Sequence, residues 1–379
     1  ALAEPELHDI VLSQEASLTL AAVLDATIER HPGLPVLDAS RKRAAAETEY
    51  GKRLLPEAPG VDAFHMNDRQ FDDIGSYENE VALSFPLWLP GEKNAQGALG
   101  EDLAVAQQSR DAEFRWQVSA LLRRQLWHLR LAHNQWQLAL EQEQRLQQVL
   151  EQVERFVDVG DMARADFLAT VQELWVWRSE TLSLEAAYQD AARDFQMLSG
   201  GSVVPADISE ALSERLEILP DHPALQAAMD RVDATVASTE VVQQSTNARP
   251  SVQVFWRAYR GDRTAADVDA LGLGFSVPLG RSPQRNREVA RASEAQAQAE
   301  SALLEQRRQL DLQLHEARHL LHTTERQLEN SNAVMAAARE RHRLDEMAFE
   351  LGEFSLREWL RRLSDTRKIE RSHERLLMQ

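Results

Sequence analysis

Cysteine is absent from the 379-residue sequence. Disulfides, thiolate metal sites and Cys nucleophiles are therefore excluded within it. Long apolar runs are also missing, since no uncharged apolar stretch approaches the roughly 18 residues that a membrane-spanning helix needs. Basic residues are outnumbered, with 42 Lys and Arg against 61 Asp and Glu and a net charge of -19. This acidic balance argues against nucleic acid as a partner.

Glycine and proline are scarce, with 15 and 13 residues respectively, and they are clustered. Neither occurs from Glu101 to Val159 or from Gln284 to Leu351. Gly and Pro interrupt or end helices. Both spans are therefore predicted to be continuous helices, the first about 90 Å long at 1.5 Å per residue. Apolar residues recur there at steps of four and three, as at Leu122, Leu126 and Leu129, which is coiled-coil spacing.

The second half of the sequence repeats the first at an offset of about 191 residues. His31 corresponds to His222, and Gly160 corresponds to Gly352. Each half is predicted to contain short helices, a strand pair, a long helix, a Gly turn and a return helix. The first repeat covers 1–200, with strands at about 61–87, a long helix at about 94–159 and a return helix at 162–199. The second covers 201–379, with a helix at about 221–248, strands at about 250–279, a long helix at about 284–351 and a return helix at 354–379.

The strand pairs are the only segments with a period of two. Leu271, Leu273 and Phe275 alternate with Gly and Ser, which predicts a strand with one apolar face. Strands of nine to eleven such residues are long enough to cross a bilayer when tilted, although a soluble two-stranded ribbon shows the same period. Isolated hairpins are marginal in water and a membrane barrel must close, so the membrane alternative requires several copies of the chain.

The sequence contains few candidate catalytic or ligand-binding motifs. No nucleotide loop, HExxH or Gly-x-Ser-x-Gly pattern occurs, so we predict no catalytic residues, no cofactor and no enzyme activity. The only candidates for metal ligation are His315, His319 and His322, which share one helix face. A solvated or interface face is the favoured explanation, and the sequence predicts no resident metal.

Several segments together resemble the outer-membrane efflux factors of Gram-negative bacteria, the TolC-like channel proteins. The likeness covers nearly the whole chain and includes the duplication. Leu89–Lys93 is similar to the linker of the heavy-metal branch of that family. The segments that carry the resemblance are 18–24, 31–34, 84–93, 155–168 and 198–201.

The resemblance implies a mainly α fold with a small β part. Duplicated long helical hairpins would form a periplasmic helical barrel, and four amphipathic strands per chain would contribute to a trimeric 12-stranded outer-membrane β-barrel. It further implies an adaptor contact at the two Gly turns and two acids that line a constriction, Asp166 and Glu358. The implied adaptor-contact residues are Val159, Gly160, Asp161, Met162, Gly352, Glu353 and Phe354.

In function, the resemblance implies a passive exit duct in the cell outer membrane that extends into the periplasm. Solutes, either drugs or metal cations, would reach it from an inner-membrane pump through a periplasmic adaptor protein, and outer-membrane lipid would surround the homotrimer. The family pattern is not complete, because Asp161 and Glu353 replace the usual apolar residue after Gly, and Arg361 replaces an acid. Two alternatives are the periplasmic adaptor of such a system and a soluble coiled-coil scaffold. Ala1–Ala3 has the small-x-small pattern of a signal-peptidase site, which weakly favours export.

Overall fold

The computed structural model describes residues 10–213, 215–245, 249–278 and 283–378. Seven helices and six strands follow one another in these ranges. The helices are α1 (Leu20–Arg30), α2 (Leu34–Lys52), α3 (Glu92–Asp158), α4 (Arg164–Ser199), α5 (Pro223–Gln244), α6 (Pro283–Glu350) and α7 (Leu356–Leu377). The strands are β1 (Ser13–Glu15), β2 (Gly60–Asn67), β3 (Tyr77–Pro86), β4 (Val203–Pro205), β5 (Ser251–Arg260) and β6 (Val268–Ser276).

The predicted fold class, mainly α with a small β part, is confirmed. The structure also contains one pair of strands that the sequence did not predict. The parallel pair β1 and β4 was not predicted, because three-residue strands carry no measurable period. The predicted strand end at 279, helix end at 248 and chain end at 379 lie outside the described residues, as does the segment 1–9. No helix in the described ranges is both long enough and apolar enough to cross a membrane.

The chain divides into two compact units, and each takes segments from both sequence repeats. One unit comprises 35–114 and 218–310 and contains the four-stranded antiparallel sheet β2-β3-β5-β6. In this unit α2 and α3 approach closely, since the Thr48 hydroxyl donates to the Gly100 carbonyl over 2.9 Å. A Cβ on Gly100 would lie 2.8 Å from Thr48 Cα, so only glycine fits that crossing.

The other unit comprises 1–34, 115–217 and 311–379 and has two buried apolar clusters. The first cluster joins α1, α3 and α4 and includes the spaced residues Leu122, Leu126 and Leu129. We call the second the turn cluster, because it contains residues next to both Gly turns. Its buried members are Leu146, Val153, Leu174, Trp177, Leu356, Trp359 and Leu360.

Candidate functional site

The first candidate segment connects α3 to α4. Gly160 has a φ of 87°, in the left-handed region that favours glycine. The Asp161 N–H donates to the Phe156 carbonyl over 2.8 Å, and the Gly160 N–H donates to the Val157 carbonyl over 3.1 Å. These two bonds form a Schellman motif, which satisfies carbonyls at the end of α3. The sequence ends the helix here because the next residue can adopt the left-handed conformation without strain.

The second candidate segment connects α6 to α7 and has the same backbone structure. Gly352 has a φ of 77°. The Glu353 N–H donates to the Ala348 carbonyl over 2.9 Å, and the Gly352 N–H donates to the Phe349 carbonyl over 3.0 Å. The internal repeat therefore extends to matching hydrogen bonds at both turns.

Both turns present an apolar side chain and a carboxylate to solvent. Val159 and Leu351, which precede the glycines, are 71% and 75% exposed. Asp161 and Glu353, which follow them, are exposed as well. A Schellman motif often has an apolar contact from this last position back to the helix, and carboxylates do not make that contact. Because Val159 and Leu351 are themselves exposed, they are available for contact with another surface.

The side chains beyond each glycine pack against the turn cluster. Met162 and Phe167 are partly buried against it from the first turn. From the second turn, Leu356 and Trp359 are buried within it. Phe349 stacks on Trp359 with ring centroids 5.1 Å apart. A shared apolar base therefore supports both turns.

The helices after the two turns begin differently. Ser355 caps α7, because its hydroxyl accepts a hydrogen bond from the Glu358 N–H over 3.3 Å. Ala163 occupies the corresponding position before α4 and has no side-chain acceptor. Since Ser is among the best N-cap residues and Ala among the poorest, the first turn of α7 is better stabilised than that of α4.

The two predicted constriction acids have different surroundings. Asp166 is half-buried in the first turn of α4, and no ion pair to it exists among the described residues. Glu358 is bonded to Arg361 over 3.0 Å and to Arg362 over 3.1 Å. The Arg361 guanidinium, and then that of Arg362, hold the pKa of Glu358 below its ordinary value. The negative charge of Glu358 is therefore balanced by two neighbouring guanidinium groups.

Arg362 is a residue of this site that the sequence analysis missed. Its guanidinium also binds the buried Asp345 carboxylate over 2.6 Å and lies over the Phe354 ring, 4.2 Å from the centroid. It thus ties α7 to the end of α6 and orients a predicted adaptor-contact residue. The spacing of Arg361 and Arg362, three and four residues after Glu358, was the signal that could have identified the pairs.

A buried arginine forms a second network on α7. Arg367 is 4% exposed; its Nε donates to Gln142 over 2.8 Å and its Nη2 donates to Glu180 over 2.6 Å. The guanidinium lies 4.3 Å from the Trp177 ring centroid, and burial lowers the pKa of Arg367. Because a buried charge without partners is costly, this network fixes α7 against α3 and α4. Sequence reasoning gave no sign of it, since the partners are distant in the chain.

The three predicted histidines lie on α6. His315, His319 and His322 are all exposed, and the rings of the first two have centroids 6.4 Å apart. In the described part of the chain, no group of three or more His, Cys, Asp or Glu side chains is arranged to hold a metal ion.

Three comparisons with known proteins were made. The sequence matches no protein-family model and no curated protein. Solved structures do match. A membrane protein from Pseudomonas aeruginosa is 13% identical with a TM-score of 0.73, over 100% of this chain and 96% of that one. The outer membrane protein VceC from Vibrio cholerae is 14% identical with a TM-score of 0.72, over 95% and 92%.

The CmeC outer membrane channel of Campylobacter jejuni is 14% identical with a TM-score of 0.69, over 95% of this chain and 82% of that one. None of these three names describes an enzyme. At such identities the likeness is one of fold. The mainly α fold with a small β part that the sequence resemblance implied is therefore confirmed, and solved outer-membrane channels share it.

Proposed function

We propose that this chain is the outer-membrane channel subunit of a tripartite efflux system in a Gram-negative bacterium. It performs no chemistry; solutes delivered by an inner-membrane pump and a periplasmic adaptor leave the cell through it. The observation that supports this most is a four-stranded sheet with an exposed apolar face and two open edges, in a chain that shares its fold with solved outer-membrane channels.

The apolar face of the sheet suits lipid. Leu271, Leu273 and Phe275 of β6 are 79%, 67% and 75% exposed. The β5 residue Val254 is paired with Leu273 and continues the row onto the next strand. A contiguous apolar surface on this scale is expected to be covered by a membrane or another protein.

The opposite face of the sheet carries charged residues. Arg257 on β5 binds Glu80 of β3 over 2.6 Å and Glu78 over 3.2 Å. Strands of membrane barrels alternate between an apolar lipid-facing side and a polar lumen-facing side. We therefore assign the charged face to the inside of the duct.

The open edges of the sheet require further strands. Among the strands that the structure describes, β2 pairs only with β3, and β6 pairs only with β5. An unpaired edge is costly in lipid, so the sheet must close on other copies. Three copies of this four-stranded sheet would supply twelve strands, and a homotrimer is the assembly we propose.

The two Gly turns are the proposed adaptor-contact surface. Val159 and Leu351 offer exposed apolar contacts, and the carboxylates Asp161 and Glu353 offer charge beside them. The contact residues we propose are Val159, Gly160, Asp161, Met162, Gly352, Glu353 and Phe354. Asp166 and Glu358 are the proposed constriction acids.

The cargo class remains drugs or metal cations, because a passive duct has no need of a specific binding pocket. Cell fractionation and the mass of the detergent-solubilised assembly test the proposal. We expect the protein in the outer-membrane fraction at three times the mass of one 42.9 kDa chain. A soluble monomer would contradict both the membrane location and the assembly.

A further inference from the structure

The exposed face of α6 carries three histidines that make no hydrogen bond or ion pair within the described ranges. His315, His319 and His322 are all exposed. Two other histidines contribute to the fold: His65 bonds to Asn79 over 2.6 Å, and His373 is buried and bonded to Ser331 over 3.0 Å. The three α6 imidazoles thus have ring nitrogens available for an external ligand.

The geometry of the first two rings suits a chelate. His315 and His319 are four residues apart in a continuous helix, so their side chains are neighbours on one face. Their ring centroids are 6.4 Å apart and the ring planes are inclined by 31°. A metal ion with nitrogens at about 2.0–2.1 Å needs its two ligand atoms about 3 Å apart. Rotation about χ1 and χ2 of these exposed side chains brings the nitrogens that close without changing the helix.

We propose that His315 and His319 form a two-ligand surface chelate for a borderline divalent transition metal. Imidazole nitrogen prefers Cu²⁺, Ni²⁺ and Zn²⁺ over the oxygen-seeking Mg²⁺ and Ca²⁺. By the general order of divalent affinities, Cu²⁺ is expected to bind this pair the most tightly of the three. The net charge of -19 raises the local concentration of cations around the chain. This site is independent of the proposed channel function, because it needs neither a membrane nor a pump.

Metal titration of the tag-free, detergent-purified chain tests the proposal, with Cu²⁺ or Zn²⁺ in competition with a chromophoric chelator. H315A and H319A are each expected to weaken binding by about tenfold or more, whereas H322A should leave it unchanged. H128A is the matched control, since His128 is a separate exposed histidine on α3. Binding by H128A should equal that of the unaltered chain. Circular dichroism should be unchanged in all four variants, because alanine favours the helix.

Two results would overturn the proposal. One is equal metal affinity in the unaltered chain and in the H315A/H319A double variant. The other is a loss in H128A as large as that in H319A, which would locate the binding elsewhere. Electron paramagnetic resonance of the Cu²⁺ complex gives an independent readout. Coupling to at least two nitrogens is expected, and a spectrum of oxygen ligands alone would also contradict the site.

Discussion

At the residue scale, Glu358 and Asp166 occupy matching positions in the two repeats but differ in charge compensation. Glu358 is shared between two guanidinium groups, whereas Asp166 has no ion-pair partner among the described residues. Because the pKa of Glu358 is lowered, its ion pairs are present at neutral pH. They are lost only when the pH falls below its ordinary value of 4.5 and through the lowered one. Of the two carboxylates, Asp166 is therefore the one without a compensating cation among the described residues.

Isosteric substitutions distinguish the effects of the two carboxylates on ion conduction. Asp166→Asn is expected to reduce cation preference in single-channel recordings at neutral pH by about twofold or more, because it removes an uncompensated charge. Glu358→Gln should change it less. Glu340→Gln is the control, since Glu340 is also paired with an arginine, Arg343. A larger effect of Glu358→Gln than of Asp166→Asn would contradict this distinction.

The glycines of the two turns give a second residue-scale prediction. Gly160→Val and Gly352→Val place a β-branched residue in the left-handed region, at a cost of about 1–2 kcal/mol each. The strain comes from the backbone alone, since a Cβ at either position meets nothing within 4 Å. We expect efflux to fall while the protein stays in the outer-membrane fraction.

Asparagine provides the matched comparison at these glycines, because it tolerates the left-handed conformation. Gly160→Asn and Gly352→Asn should retain most of the efflux that the valine variants lose. Full efflux by the valine variants would show that the turn conformation does not matter to the channel.

At the element scale, the helix starts after the turns differ in stability although the turns themselves match. Ser355→Ala removes the side-chain cap of α7 and is expected to cost about 1 kcal/mol. Ala163→Ser supplies the missing cap of α4. The backbone of Ala163 already has the extended conformation of an N-cap residue, with a φ of -77° and a ψ of 144°. Thermal unfolding in detergent should shift down for Ser355→Ala and up for Ala163→Ser. A lowered midpoint for Ala163→Ser would contradict the cap assignment.

The long helices also differ in how their apolar residues are covered. On α3, the spaced residues Leu126, Leu146 and Val153 are at most 2% exposed. On α6, Leu304 and Leu320 are 70% and 58% exposed. The apolar residues with coiled-coil spacing on α3 are therefore buried within one chain. We expect the exposed leucines of α6 to be covered by other copies in the proposed trimer.

At the scale of the whole molecule, the proposed assembly depends on the apolar face of the sheet. Leu273→Arg puts a charge on that face at the edge strand, at a cost of about 2–4 kcal/mol near the bilayer midplane. We expect loss of the outer-membrane trimer, measured by fractionation and by mass in detergent. Gln253→Arg is the control, because Gln253 lies on the opposite face of the neighbouring strand. Equal trimer yield from both variants would argue against lipid contact at Leu273.

The sequence by itself determined the order of the long helices and the two strand pairs, the two Gly turns and the apolar face of the sheet. These features follow from local chemistry. Gly160 and Gly352 end helices because they can adopt a positive φ, and the alternation at Leu271 and Leu273 puts both on one face of a strand. The resemblance to outer-membrane channels added the fold class, which the structural comparisons confirmed.

Only the tertiary structure decided which charges are compensated and which apolar residues are covered. Arg367 meets Glu180 and Gln142 across large sequence separations, so no local period predicts the network. The pairs of Glu358 with Arg361 and Arg362 follow from residue spacing within α7. The bond of Arg362 to the buried Asp345 of α6 does not, because it depends on how the two helices pack. The physical reason is that hydrogen bonds and ion pairs depend on distances of a few ångströms between side chains, which the spacing of residues along one helix does not fix between helices.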